Sequence, residues 1–106
     1  MTASAKARFS VGQIVCHKRF GYRGVVVDVD ATFSLSDDWY DEVARSRPPK
    51  DQPWYHVLVH EAPHQTYVAE RHLDVEPEPE QIDHPSLGSY FDSFVNGQYR
   101  VRRRDS

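Results

Sequence analysis

Residues 9–30, FSVGQIVCHKRFGYRGVVVDVD, contain the pattern that decides the fold of this chain. Residues 13–17 predict a first strand, and residues 25–30 predict a second. In the second strand, one face is predicted to carry Val25, Val27 and Val29, and the other, which becomes polar toward the end, Val26, Asp28 and Asp30. Between them, residues 20–24 form a turn with two glycines. We expect one glycine to supply a positive φ and the other to allow a close backbone approach. The stretch therefore predicts a sharply bent strand pair.

Two further blocks extend this β pattern. Residues 53–59, PWYHVLV, predict a third strand, and residues 65–70, QTYVAE, return from it after a turn at residues 61–64. Residues 73–75 are short and apolar enough for a last edge strand. Together the blocks predict a mainly β fold, a small barrel over residues 9–75, preceded by a flexible tail at residues 1–8.

The segment between the second and third strands has a helical period. Leu35, Trp39 and Val43 are spaced by four and fall on one helical face, while Ser34 or Ser36 can cap the start. Two prolines at 48–49 end the pattern. We therefore predict a short helix inside a long insertion, which is where partners are often bound.

Residues 76–106 are predicted to form an acidic, proline-rich linker followed by a C-terminal tail. Leu87, Tyr90, Phe91 and Phe94 have the i, i+3, i+4, i+7 spacing of a helix, which Pro85 could start and Gly97 could end. The Asn-Gly pair at 96–97 also suits a hairpin turn. We favour the helix, and the hairpin stays open as the alternative.

Composition excludes several classes of protein. The chain has 106 residues, enough for one domain, and 39% of them are hydrophobic. No apolar run approaches the ~20 residues of a membrane-spanning helix, and the first residues lack the apolar core of a secretory signal, so no membrane partner is expected. Cys16 is the only cysteine, which excludes an intrachain disulfide and a cysteine zinc site and fits a cytoplasmic location.

Catalytic and metal chemistry find little support in the sequence. His56, His60 and His64 recur every four residues, but on a strand four residues span roughly 13 Å, too far for His56 and His60 to share one ion. Cys16 and His17 are adjacent on a strand and therefore point to opposite faces, so they cannot form a nucleophile–base pair. We expect no enzyme activity, no metal and no cofactor.

Two groups of side chains are candidates for binding. Basic and aromatic residues of the first turn could bind phosphates and stack on a base, although the net charge of −3 argues mildly against a dedicated nucleic-acid binder. The nucleic-acid candidates are His17, Lys18, Arg19, Tyr22 and Arg23. Aromatic residues of the insertion and the tail could anchor a protein partner. The protein-binding candidates are Trp39, Tyr40, Tyr90, Phe91 and Phe94.

The same blocks resemble the hemimethylated-DNA-binding, YccV-like family. The matching residues run in order over residues 9–75 and comprise 12–17, 21–30, 53–57, 66–70 and Leu73. The resemblance implies a strongly bent SH3-like β barrel and a homo-oligomer such as a trimer. It also implies non-enzymatic heat-shock or stress proteins of the bacterial cytoplasm, so no catalytic residue is carried over.

The resemblance implies two kinds of partner, which give two hypotheses of function. One is hemimethylated DNA near the replication origin. The other is the ATP-dependent protease Lon, with turnover of denatured and regulatory proteins that include the replication initiator. We place the protease hypothesis slightly ahead because the chain is acidic overall. A generic KOW-like RNA-binding barrel is a third, weaker possibility, against which the Trp-Tyr-His block at 54–56 counts.

Overall fold

The computed structural model describes residues 6–103. Residues 1–5 of the predicted flexible tail and residues 104–106 of the predicted C-terminal tail lie outside this range. The elements are β1 (Ile14–His17), β2 (Arg23–Asp30), α1 (Asp37–Val43), β3 (Trp54–Val59), β4 (Gln65–Ala69), a single 3₁₀ turn (Glu70–His72), β5 (Leu73–Val75), α2 (Leu87–Tyr90), β6 (Phe91–Val95) and β7 (Gln98–Val101).

Five of the strands form one antiparallel sheet in the order β4-β3-β2-β1-β5, and β6 and β7 form a separate hairpin. The prediction of a mainly β fold is therefore confirmed. Closure of this sheet into an SH3-like barrel stays a prediction. Within residues 6–103, no helix has the length and apolar character needed to cross a membrane.

The two glycines of the first turn act as expected. Gly21 has a φ of +73°, which supplies the left-handed backbone that the turn needs. Gly24 lies so close to β3 that an added Cβ would be 2.4 Å from Val57 Cγ1 and 2.6 Å from the carbonyl oxygen of Leu58. A glycine at position 24 is thus what lets β2 and β3 approach each other.

A β-bulge changes the simple alternation predicted for β2. The register of β2 on β3 shifts between Val26 and Asp28. Val25 and Val27 pack in one core cluster, whereas Val26 and Val29 pack in another. The prediction that Val25, Val27 and Val29 share one face is therefore wrong. The bulge adds one residue to β2, so the side chains beyond it point to the opposite face of the sheet from the one that simple alternation predicts.

The sheet is buried on both faces. One cluster joins the Tyr55 and Val57 face of β3 to Phe9, Val15 and Leu73. The opposite face is covered by the C-terminal segment, since a second cluster consists of Ile14, Val25, Val27, Leu58, Ile82, Phe91 and Tyr99. The domain boundary at residue 75 stays a prediction, and the structure adds that three side chains beyond it lie in a core cluster with β1, β2 and β3.

The C-terminal tail is a hairpin, not the favoured helix. Helix α2 is a single turn that ends at Tyr90, and Phe91 and Phe94 lie on β6. Asn96 and Gly97 have φ values of +52° and +78°, the conformation of a two-residue turn whose twist matches a strand pair. The amide of Tyr99 donates to the carbonyl of Gly12 at 2.9 Å, which ties the hairpin to the sheet. The helix prediction was wrong because this turn and this attachment outweigh the helical spacing.

The insertion contains the predicted short helix. Ser36 caps α1, and its Oγ accepts from the amide of Trp39 at 3.1 Å. The helix buries Tyr40, whose hydroxyl donates to the carbonyl of Pro48 at 2.6 Å. Leu35 and Val43 remain exposed, whereas Trp39 of the same predicted stripe is half-buried and packs against Trp54 of β3.

Candidate functional site: the β4 cleft

A cleft of about 670 Å³ lies over β4, and we call it the β4 cleft. Its floor is β4, all five residues of which line it. The insertion forms one wall and the first turn, with the 3₁₀ turn, forms the other. The insertion wall includes Leu35, Trp39, Val43, Ala44, Arg45, Ser46 and Pro48, and the opposite wall consists of His17, Arg19, Phe20, Tyr22 and His72.

Aromatic packing holds the insertion wall in place. The ring of Tyr67 on β4 stacks on Trp54 with centroids 5.2 Å apart and meets Trp39 edge-on at 5.6 Å. The Tyr67 hydroxyl donates to Asp30 Oδ2 at 2.7 Å and accepts from the amide of Ser34 at 3.0 Å. Tyr67 therefore connects the floor of the cleft to the end of β2 and to the start of the insertion.

His17 organises the opposite wall. Its side chain is buried, and its Nδ1 accepts from the amides of Arg19 at 3.2 Å and Phe20 at 3.1 Å. Its ring lies 4.7 Å from Phe20, 5.1 Å from Tyr22 and 5.6 Å from His72. This packing leaves Phe20 with 71% of its surface exposed at the mouth of the cleft.

The two histidines and the tyrosine of this wall have pKa values shifted toward their neutral forms. Burial lowers the pKa of His17, and nearby His72 and Arg19 lower it further. Burial likewise lowers the pKa of His72, with added repulsion from the neighbouring cations. Burial raises the pKa of Tyr22, whose hydroxyl shares a hydrogen bond of 2.9 Å with Thr66 Oγ1. The neutral imidazole of His17 agrees with its role as an acceptor for two backbone amides.

The formal charge of the cleft differs in sign from that of the chain. Its lining includes Arg19 and Arg45 and no aspartate or glutamate among the described residues. The chain as a whole has a net charge of −3. The cleft therefore combines apolar walls with a local positive balance that favours an acidic ligand.

The nucleic-acid candidates are separated by the fold. His17, Arg19 and Tyr22 line the β4 cleft, and His17 and Tyr22 are engaged in internal packing and hydrogen bonds. Lys18 is exposed and borders a smaller hollow. Arg23 Nη1 donates to the carbonyl of Glu80 at 3.1 Å. The structure thus brings three of the five into one wall, and their role in DNA binding stays a prediction.

The protein-binding candidates are separated as well. Trp39 lines the β4 cleft, whereas Tyr40 and Phe91 are buried in core clusters. Tyr90 is exposed and Phe94 is half-buried, both outside the cleft lining. Trp39 is therefore the one candidate of this group that the structure places in the cleft, and a partner role for these residues stays a prediction.

Sequence reasoning missed Phe20, His72 and the whole of β4 as parts of a site. A phenylalanine between a cation and a glycine in a turn is a signal that could have indicated Phe20. Nothing local marks β4, because its position under the cleft depends on the strand order and on the path of the insertion.

One cluster of potential metal ligands borders the β4 cleft, since His56 of β3 lines it. Ligand atoms of Asp28, Asp30 and His56 lie within 4.8 Å of one another, an arrangement that the sequence did not suggest. The carboxylate of Asp30 is already engaged by Tyr67 and by His56 Nε2 at 3.2 Å. Burial and nearby acidic groups raise the pKa of the Cys16 thiol, the reverse of what a nucleophilic cysteine needs.

The fold and the cleft define a class of protein, a small mainly β domain with a concave surface beside an edge strand. The chain belongs to the YccV-like family: residues 7–98 match the family described as hemimethylated DNA-binding protein YccV like. The resemblance found in the sequence is confirmed, and the match extends beyond residue 75 into the C-terminal hairpin. The family description names a bound molecule, hemimethylated DNA, and names no catalysed reaction.

Proposed function

We propose that this chain is a non-enzymatic heat-shock or stress regulatory protein that binds partner polypeptides and promotes their degradation by an ATP-dependent, Lon-type protease. The β4 cleft is the observation that carries the proposal. It presents exposed Phe20, Leu35 and Val43 around a half-buried Trp39. Aromatic and apolar side chains in a concave surface are typical anchors for polypeptides, and denatured proteins expose the apolar segments that would fill it.

A second candidate function is binding of hemimethylated DNA near the replication origin. The family description and the exposed side chains of Lys18 and Arg19 favour it. Three or four phosphate contacts would weaken binding by about three to four powers of ten for each tenfold rise in salt. A homo-oligomer such as a trimer would supply more cations, because each copy would add its own first turn.

The decisive experiment compares the two activities in matched variants. Val43→Asp places a carboxylate in the cleft, whereas Val75→Asp makes the same change on β5, outside the cleft lining. Both valines are about equally exposed, at 58% and 50%. We expect Val43→Asp, and not Val75→Asp, to reduce stimulation of a purified Lon-type protease acting on an unfolded substrate.

The DNA candidate is tested in parallel with Lys18→Ala/Arg23→Ala, since both residues lie outside the cleft lining. Fluorescence anisotropy would compare hemimethylated, fully methylated and unmethylated duplexes at near-physiological salt. Methylation-dependent binding that this variant loses, together with no effect of the native protein on proteolysis, would replace the first proposal by the second.

A further inference from the structure

We propose that β4 is an open strand edge that binds an extended acidic segment of a partner polypeptide by β-augmentation, inside the β4 cleft. The inference rests on the proposed function and deepens it, because it states how the polypeptide is held. In β-augmentation an added strand gains its affinity from main-chain hydrogen bonds and its specificity from alternate side chains.

The register of β4 shows which backbone groups face the cleft. The amide of Val59 donates to the carbonyl of His64, and the amide of Glu70 donates to the carbonyl of Pro53 at 3.0 Å. The ladder between these two pairs keeps one register, so Thr66 and Val68 also direct their amides and carbonyls to β3. The amides and carbonyls of Gln65 and Tyr67 therefore point away from β3, and no hydrogen bond to these backbone groups is found within residues 6–103. Ala69 differs, because it is the N-cap of the 3₁₀ turn that follows.

The outer end of this edge is accessible. Gln65 is exposed and Tyr67 is half-buried, whereas Ala69 is buried at the inner end of the cleft. Open edges are usually protected by charged residues or proline, and the β4 sequence, Gln-Thr-Tyr-Val-Ala, has neither. The opposite edge strand, β5, carries Asp74. The unprotected edge is thus the one that lies under a cleft.

The walls specify the chemistry of the added strand. A strand beside β4 would project alternate side chains to its two sides, toward Trp39 and Val43 of the insertion and toward Phe20 and Tyr22 of the first turn. Both walls therefore favour apolar side chains in the middle of the segment. The positive balance of the lining favours aspartate or glutamate at its ends.

The test uses the full chain and a synthetic peptide with this pattern, acetyl-Asp-Glu-Val-Phe-Val-Phe-Glu-Asp-amide. We expect a tenfold excess over the Kd to slow hydrogen exchange at the amides of Gln65 and Tyr67 by about tenfold. Exchange at Thr66 and Val68, which already bond to β3, should change little. Replacing the four acidic residues of the peptide by lysine should weaken its binding, because Arg19 and Arg45 then repel it.

Peptides that are each methylated on one backbone nitrogen distinguish binding by strand pairing from binding by apolar contact alone. Each methylation that removes a donor facing β4 should raise the Kd about five- to tenfold, and methylation at the intervening positions should have little effect. Val43→Asp should weaken binding of the acidic peptide, and the matched Val75→Asp should not. An alternating pattern of this kind is the signature of an added strand.

Several results would overturn the inference. Absence of peptide binding would do so, as would binding that leaves Gln65 and Tyr67 exchanging freely or that ignores the position of methylation. Protection of the same amides that grows with protein concentration alone would show that a second copy occupies the edge. If strand addition is found but protease stimulation is absent, the inference stands and the proposed function fails. If protease stimulation occurs without protection of the β4 amides, the proposed function stands and the inference fails.

Discussion

Replacing Tyr67 by phenylalanine removes one oxygen atom from a side chain that lines the β4 cleft and keeps the ring. That oxygen donates to Asp30 Oδ2 at 2.7 Å and accepts from the amide of Ser34 at 3.0 Å. Burial and the contact with Asp30 raise the pKa of Tyr67 to about 12, so the phenol remains a donor at neutral pH. The substitution tests whether this hydroxyl fixes the insertion to the sheet.

The expected loss follows from the two hydrogen bonds. A hydrogen bond to a charged group contributes roughly 1.5–3 kcal/mol and one to a neutral group roughly 0.5–1.5 kcal/mol. Ser34 is exposed, so water replaces part of the loss on that side. We expect Tyr67→Phe to lower the free energy of unfolding by about 2 kcal/mol and the Tm by about 10 °C.

Urea unfolding followed by tryptophan fluorescence is the assay, because Trp39 and Trp54 both contact the Tyr67 ring. A double-mutant cycle with Asp30→Asn should give a coupling energy of about 1 kcal/mol. Tyr90→Phe is the control, since this phenol is exposed and should change stability by less than about 0.5 kcal/mol. A loss below about 0.5 kcal/mol for Tyr67→Phe, or strict additivity in the cycle, would refute the reasoning.

Three further expectations follow from local contacts. Gly24→Ala should cost about 3 kcal/mol in urea unfolding, because its Cβ would overlap Val57 and the Leu58 carbonyl. Gly88→Ala is the control, because the added Cβ would meet open space beyond its own helix. The lowered pKa values of His17 and His72 mean that the unfolded chain binds more protons below the ordinary pKa of 6.5. Their stabilising effect should therefore be complete above pH 6.5 and be lost as the pH falls through the folded-state values, which urea midpoints at several pH values would show. Phe20→Ser should leave stability within about 0.5 kcal/mol and weaken binding of the acidic peptide in a titration.

Each of these has an outcome that would contradict it. Equal stability of the two alanine variants would mean that β2 and β3 can separate at Gly24 at little cost. A urea midpoint that does not fall on acidification would remove the histidines as the cause, and an equal fall in His72→Gln would remove His72. Unchanged peptide affinity in Phe20→Ser would mean that the mouth of the cleft is not part of the binding surface.

The sequence alone determined the local features whose causes lie within a few neighbouring residues. Alternating apolar residues and the glycine turn predicted β1 and β2, and the Pro-Trp-Tyr-His and Thr-Tyr-Val-Ala blocks predicted β3 and β4 together with the family. The capped helix of the insertion was predicted for the same reason, since Ser36 caps α1 through the amide of Trp39, three residues away. The tail was ambiguous because Phe91 and Phe94 fit a helical period and a strand equally well when their neighbours are unknown.

Only the tertiary structure decided which of these residues meet. The hairpin prevails in the tail because Phe91 and Tyr99 bury against Ile14 and Leu58, far away in sequence. The insertion buries Tyr40 and leaves Val43 at the cleft because Trp54 on β3 packs against only one side of a short helix. The β4 cleft exists because the strand order leaves β4 at an edge between the first turn and the insertion. Residue spacing encodes which face of an element is apolar, but the partner of that face is selected by packing across the whole sheet.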